Sequence, residues 1–480
     1  MNEITPIAVD NESERKALAW MDDPLEAFGL SNTKIHSIPR EEAEAIQLAG
    51  FNLRLEQRRQ QIKTLAKLAD AQGMDRANSL DEAASLLFTH DVYKSYPASL
   101  LAKQRFDQLT KWMSRLTTCD LSDFDASGCQ SIDDWLTRLR DQTELDVSTS
   151  SGTSGTMSFF PKTKKDYMNS ARTLRIQQTQ PFGDEPSEGA LNDAYHVLTP
   201  FYSDGHSTVA RLPHYFIQVF CKGDASLMHN ALPYKASADL MYLAARVKAA
   251  QAKGDAGRLD VPENILARRE EWLKMQEETP VRQAEFIKEM IPKLSGELVF
   301  VLGITGMFYE IARSGLDAGV HASFAPGSIV VGGGGAKGLV LPENAEDVIC
   351  EFFGVDRLRN SYGMSEQNFV ANACEAGHYH VPPWVAVLLL DPDSGKPMLR
   401  EDTQTGRASF FDLTQDGAWG GIVSGDRITV HYTPCECGRS TLHIAKEVKR
   451  FTEVTGGDDK ITCAATPGAQ EDALGYLTTL

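Results

Sequence analysis

From about residue 195 onward, short apolar segments alternate with longer helical ones, and that alternation leaves few folds open to the chain. Tyr195–Thr199 and Tyr215–Phe220 read as strands, Ser237–Ala252 and Pro262–Lys293 as helices, and Leu298–Leu302, Ser328–Val331 and Val385–Leu390 as further strands. Such alternation predicts an α/β fold with largely parallel sheets. Gly332–Gly335 directly follows Ser328–Val331. A glycine run at the carboxyl end of a strand lies where α/β sheets place ligands.

The flanking regions differ. Residues 1–45 are acidic and weakly periodic, which predicts mobility. From Phe51 a helical pattern begins: Phe51, Leu55, Ile62, Leu65 and Ala69 share one face, and Arg58, Arg59, Lys63 and Lys67 lie outside it as a solvated face. Helical segments continue through Ser79–Leu87, Leu100–Leu116 and Ser131–Arg140, and after about Asp412 short strands and turns follow.

Ahead of the first strand lies Ser148-Thr-Ser-Ser-Gly-Thr-Ser-Gly-Thr156, nine residues of hydroxyls and glycine running on to Phe159-Phe-Pro-Lys162. With no large side chain in the way, its N–H and O–H groups can wrap a polyphosphate. It is not the common P-loop, because Gly152 and Gly155 are too close together and no lysine follows the second glycine. Taken alone, it is more often a plain surface linker.

Bulk properties narrow the partners. The 480 residues are 42% hydrophobic and 24% charged, the balance of a soluble globular protein. A formal net charge of −18 repels nucleic acid and anionic membranes, so any anionic ligand needs local donors. The start carries no basic stretch followed by an apolar one, and the longest apolar run, Leu298–Tyr309, is too short to span a bilayer. Eight cysteines are too few for a disulfide framework in a chain this long. Together these predict a cytoplasmic protein with neither nucleic-acid nor membrane partners.

Four more motifs follow the hydroxyl-rich loop in order: Gly332-Gly-Gly-Gly-Ala-Lys-Gly338, Asn360-Ser-Tyr-Gly-Met-Ser-Glu366, Ser424-Gly-Asp426 and Cys435-Glu-Cys-Gly-Arg439. With Thr149–Gly155 they resemble the adenylate-forming superfamily of acyl-CoA synthetases, peptide-synthetase adenylation domains and luciferases. The likeness is strongest to the phenylacetate-CoA ligase branch and to the acyl-protein synthetases of bacterial bioluminescence, which share the Tyr-Gly-Met-Ser-Glu form, a segment like His380–Trp384 and the Cys-x-Cys-Gly-Arg element. It runs from about Leu87 to the C-terminus. It implies a large adenylate-forming α/β domain of two packed layers with a β-rich subdomain (81–449), preceded by a helical, partly mobile extension (1–80) and followed by a hinge and a truncated C-terminal segment (450–480).

The resemblance also implies an activity, the Mg·ATP-dependent adenylation of a small carboxylic acid. In that reading Ser150, Ser151, Gly152, Thr153, Ser154 and Gly155 hold the β- and γ-phosphates. Gly334, Gly335 and Ala336 border the adenine and the acyl pocket, and Tyr362 stacks on the base between Ser361, Gly363 and Met364. Ser365 meets the α-phosphate, Glu366 holds Mg²⁺, Asp426 accepts the ribose hydroxyls and Arg450 marks the hinge beside the nucleotide. Members of the family carry a catalytic lysine in a C-terminal domain that is only a stub here; Lys337, Lys449 and Lys460 are its possible stand-ins, with Lys337 taken as the catalytic candidate. Individually these residues have plainer readings: a packed aromatic for Tyr362, a solvated carboxylate for Glu366, a turn for Gly425-Asp426.

Two cysteine patterns add to this. Cys374, His380, Cys435 and Cys437, with His378 as a spare, have the donor types of a tetrahedral zinc site; the plainer reading is buried, reduced thiols. Cys463, which lies 17 residues before the end near Lys460, matches the acyl-accepting cysteine of the bioluminescence synthetases, or else is an inert tail residue. Cys119, Cys129, Cys221 and Cys350 read as structural, and His206 could touch the substrate but reads more simply as a loop histidine. The acyl group would pass to a thiol, an amine, a carrier protein or a partner reductase in a biosynthetic pathway. Acyl-CoA ligation, adenylation of a non-carboxylate oxyanion and a non-catalytic nucleotide-binding subunit are the alternatives.

Overall fold

A computed structural model describes residues 11–150, 156–252, 259, 261–334, 340–451 and 471–478. Fifteen strands are defined among them: β1 (Phe88–Thr89), β2 (Ser148–Ser150), β3 (Ser158–Phe160), β4 (His196–Asp204), β5 (Met228–Lys235), β6 (Val299–Ile304), β7 (Ile329–Gly333), β8 (Arg359–Gly363), β9 (Val370–Ala373), β10 (Tyr379–His380), β11 (Val385–Leu390), β12 (Thr403–Asp412), β13 (Gly421–His431), β14 (His443–Ile444) and β15 (Lys449–Arg450). Thirteen form one mixed sheet in the order β11-β12-β13-β14-β10-β9-β8-β7-β6-β4-β5, with β1 and β15 also on β13; β2 and β3 make a separate hairpin.

The sheet has two halves. Pairings from β5 through β4, β6 and β7 to β8 are parallel; from β8 through β9, β10, β14 and β13 to β12 and β11 they are antiparallel. The parallel half is built from strand–helix–strand units, as the alternation predicts. Val299, Val301 and Val330 face helices Thr305–Asp317 and Ala345–Phe353, while Phe300, Ile329 and Val331 face helices Lys164–Thr179 and Thr208–Val219. Successive side chains point to opposite faces, so both faces are covered and the strands read as unbroken apolar runs. Instead of two separate layers of strands, one continuous sheet changes character at β8–β9.

Most expected elements form, and Val385–Leu390 matches β11 residue for residue. Tyr215–Phe220 does not: it belongs to the helix Thr208–Val219. Ser207 caps that helix by accepting the Ala210 N–H, and Leu212, Tyr215, Phe216 and Val219 recur at helical spacing on its buried side. β13, in the region read as short strands, is 11 residues long.

The N-terminal helices share the core of the antiparallel half. Residues 11–45, weakly periodic in sequence, form helices Asn11–Asp22, Pro24–Ala27 and Asn32–Ile35 and open the helix Arg40–Gln61. Phe51 packs edge-on to Phe411 and Trp419 at 4.8 and 5.4 Å between ring centres, and Phe51, Leu55, Ile62, Leu65 and Ala69 are all buried as expected. Arg58 is a correction. It is buried, not solvated, because its guanidinium donates to the carbonyls of Gln415, at 2.6 Å, and Ala418. Arg54 likewise donates to the Leu413 carbonyl at 2.9 Å, so this helix pins the β12–β13 loop.

At the other end, helix Glu471–Thr478 returns to the body of the protein. Ala473, Leu474 and Leu477 pack with Leu240, Leu243 and Val247 of helix Ala238–Ala252 and with Trp272. No helix among the described residues is long and apolar enough to cross a membrane.

Candidate functional site

The β8–β9 connection lies where the sheet turns from parallel to antiparallel, and it carries the Tyr-Gly-Met-Ser-Glu motif. Its neighbour β7 ends in the glycine run. Ser361 Oγ donates to the Gly332 carbonyl at 3.2 Å, tying the two strand ends together. Gly334 turns away with φ of +65°, a conformation that favours glycine.

Tyr362 is buried, with its ring 6.2 Å from both Tyr379 and Phe410. Its hydroxyl donates to Asp426 Oδ2 at 2.9 Å. Asp426 stands on β13 opposite Arg450 of β15, whose Nε is 3.8 Å from Asp426 Oδ1. Glu366 is half-buried at the turn out of β8. Burial, and then the Asp426 charge, raise its carboxyl from the ordinary value, against its own backbone N–H and the pull of Arg450 and Lys162. Two acids and two cations thus converge on one place. Gly363 is exposed, and Ser361, Met364, Ser365 and Arg450 are half-buried around it.

Lys162 is the site residue that the motif reading passed over. It closes the hydroxyl-rich segment, just past β3, and is 2% exposed. Its Nζ donates to the Gln367 carbonyl at 2.6 Å and to Asn368 Oδ1 at 3.1 Å, so the β2–β3 hairpin is fastened to the residues after Glu366. Burial pushes its ammonium down to about 8, against the nearby Asp166, Asp412 and Glu366. The signal was present in sequence: a lysine behind Phe159-Phe160-Pro161 has an apolar setting. Beneath it Asp166, fully buried, accepts the N–H groups of Thr163, Asp416 and Gly417 at 2.8, 2.7 and 3.0 Å, the Thr163 hydroxyl at 3.2 Å and the Asn368 amide. Gly417 must be glycine here: a Cβ would lie 2.5 Å from the Pro161 carbonyl oxygen.

The hairpin's far side is held too. The Thr149 N–H donates to the His206 carbonyl at 2.7 Å, and the Ser148 and Thr208 hydroxyls are 2.6 Å apart. His206 is 2% exposed, and its carbonyl accepts this backbone bond. Ser150 ends β2. Ser151, Gly152, Thr153, Ser154, Gly155, Gly335, Ala336, Lys337, Lys460 and Cys463 lie outside the described residues, whereas Gly334 and Lys449 lie within them.

A second cluster occupies the antiparallel half. Cys374 follows β9, His380 is on β10, and Cys435 and Cys437 are on the turn before β14. Ligand atoms from all four lie within 4.8 Å of one another. Cys374 Sγ and Cys435 Sγ are 3.9 Å apart, and Cys437 Sγ is 3.3 Å from His380 Nε2. A tetrahedral zinc with its usual Zn–S and Zn–N lengths separates its ligands by about 3.3–3.8 Å, so the donor set fits that ion. His380 Nδ1 contacts the Thr441 hydroxyl at 3.2 Å, which fixes the ring so that Nε2 faces the cysteines.

No family model matches the sequence, and no curated protein sequence does. Among solved structures, an open conformation of 2-hydroxyisobutyryl-CoA ligase in complex with 2-HIB-AMP and CoA is similar at 11% identity, covering 87% of this chain and 71% of its own, with a TM-score of 0.48. Apo MatB from Rhodopseudomonas palustris is similar at 14% identity over 62% of this chain and 47% of its own, with a TM-score of 0.33. At these scores neither likeness assigns chemistry to this chain, and the functional reading rests on its own residues.

Proposed function

We propose that this protein is an ATP-dependent ligase that adenylates a small carboxylic acid and passes the acyl group on to a thiol, an amine or a partner protein. The observation that carries the reading is the convergence of Tyr362, Asp426, Arg450 and Glu366 at the sheet junction, beside the hairpin that bears the hydroxyl-rich segment. Tyr362 and Asp426, 64 residues apart in sequence, and Lys162 and Gln367, 205 apart, meet there.

Asp426 would take the ribose hydroxyls on its carboxylate oxygens, and Tyr362 would stack on the base. Arg450 and Lys162 supply the positive charge that an overall acidic chain lacks, with Lys162 acting as a positioning residue. Glu366, whose carboxyl is raised by burial and by the Asp426 charge, would suit Mg²⁺, since that ion takes one or two carboxylates and draws its other ligands from phosphate and water. Bound there, Mg²⁺ would neutralise charge on the phosphates. In the reaction a substrate carboxylate oxygen bonds to the α-phosphorus, the bond to the β-phosphate oxygen breaks and pyrophosphate leaves. The protein's task is alignment and charge neutralisation. The second cluster would hold a structural Zn²⁺ through Cys374, His380, Cys435 and Cys437.

Pyrophosphate exchange into ATP, run across aliphatic and aryl acids with AMP followed by mass spectrometry, tests the proposal. At least one acid should support exchange. ATP binding with no exchange on any acid would leave a nucleotide-binding subunit without turnover.

A further inference from the structure

The Cys/His cluster holds more ligands than one metal ion can use. His380, His443 and His431 stand directly opposite one another on three neighbouring strands, β10, β14 and β13. Opposed residues of antiparallel strands share a face. Their rings follow suit, with centres 5.3 Å apart for His380 and His443 and 4.8 Å apart for His443 and His431. His378 enters from the β9–β10 turn; its ring centre is 4.8 Å from that of His443, and its Nδ1 is 3.4 Å from Cys435 Sγ. Ligand atoms of His378, Cys435 and His443 all lie within 4.8 Å of one another. Cys435 therefore belongs to two ligand sets at once.

A second observation concerns His443 alone. The residue is 3% exposed, and its Nδ1 is buried without a hydrogen-bond partner. A buried ring nitrogen without a hydrogen-bond partner is uncommon in a protein interior and leaves room for a ligand. The neighbouring set supplies the reason for one.

We propose that the cluster is a binuclear centre in which two zinc-type cations share the Cys435 thiolate. Cys374, His380, Cys435 and Cys437 hold the first cation. His378, Cys435 and His443 hold the second, whose fourth position is taken by water, the usual arrangement at a three-ligand zinc. The thiol protons of the three cysteines leave to solvent when the first cation binds. The second then binds to neutral imidazoles and an existing thiolate and releases no further thiol proton. The proposal rests on the zinc reading of the first set.

The full chain, stripped with a chelator under reducing conditions and reloaded with Zn²⁺, is weighed by native mass spectrometry and assayed for metal. The expected result is two zinc ions per chain, falling to one in His443→Ala. His378→Asn, on a half-buried turn, should do the same if the first variant fails to fold, and Cys435→Ser should lose both ions. One zinc per chain, unchanged in His443→Ala and His378→Asn, overturns the pair and leaves the single site standing. Two zinc ions that survive both histidine variants also overturn it. No bound zinc removes the pair and the single site together.

Discussion

The charges of Asp166 and Glu366 both act on Lys162, and the protein treats the two acids in opposite ways. Asp166 is fully buried and surrounded by donors from four residues. Glu366 is half-buried at a turn where the charge of Asp426 adds to the burial that raises its carboxyl. A carboxylate whose lone pairs are filled from within the fold is scaffolding. One whose carboxyl stays raised despite its own backbone N–H and the nearby Arg450 and Lys162 has room for a ligand from outside the chain.

The largest expected effect is at the scaffold. Asp166→Ala removes the acceptor for the Thr163, Asp416 and Gly417 N–H groups. It should cost about 3–5 kcal/mol in denaturant unfolding, as loss of one partner from a buried ionic network does. A loss near zero would erase the contrast with Glu366. Glu366→Gln should act the other way round, lowering exchange activity by about 10²–10³-fold while leaving the fold intact. Because the folded carboxyl titrates above its unfolded value, its ionisation costs stability as pH rises through that value. The variant should therefore melt at or above the wild-type temperature near neutral pH, with the gap closing in acid. A variant that melts well below wild type would place Glu366 with Asp166 among the scaffold residues.

Smaller effects sharpen the same comparison. Lys162 releases its proton at about 8 in the folded chain, against 10.5 for an ordinary lysine. Between those values the unfolded chain binds more protons, so wild type should gain stability with rising pH relative to Lys162→Met. A constant difference across that window would contradict the burial. Tyr362→Phe removes one hydrogen bond to Asp426, worth about 1 kcal/mol. The KM for ATP should rise by about fivefold with kcat little changed; an equal fall in kcat would give the hydroxyl a part in the chemistry.

Much of this was legible in the residues. Val299–Ile304, Ile329–Gly333 and Val385–Leu390 are apolar runs because both of their faces are covered, and period and length alone placed them. The order of the motifs brought Tyr362 and Asp426 together, and donor chemistry brought Cys374, His380, Cys435 and Cys437 together. What failed was information that only tertiary contact holds. Tyr215–Phe220 has strand-like residues, but the Ser207 cap and a partner sheet face make it helix. Arg58 reads as a surface charge until the β12–β13 loop presents bare carbonyls to it. Lys162 and Asp166 acquire meaning from Asn368, about 200 residues further along the chain.

The most direct measurement is the structure of the chain with ATP, Mg²⁺ and an accepted acid. The ribose should bond to Asp426, the base should lie against Tyr362, and the metal should bridge Glu366 and the phosphates. A nucleotide bound elsewhere, with those three residues untouched, would contradict the account.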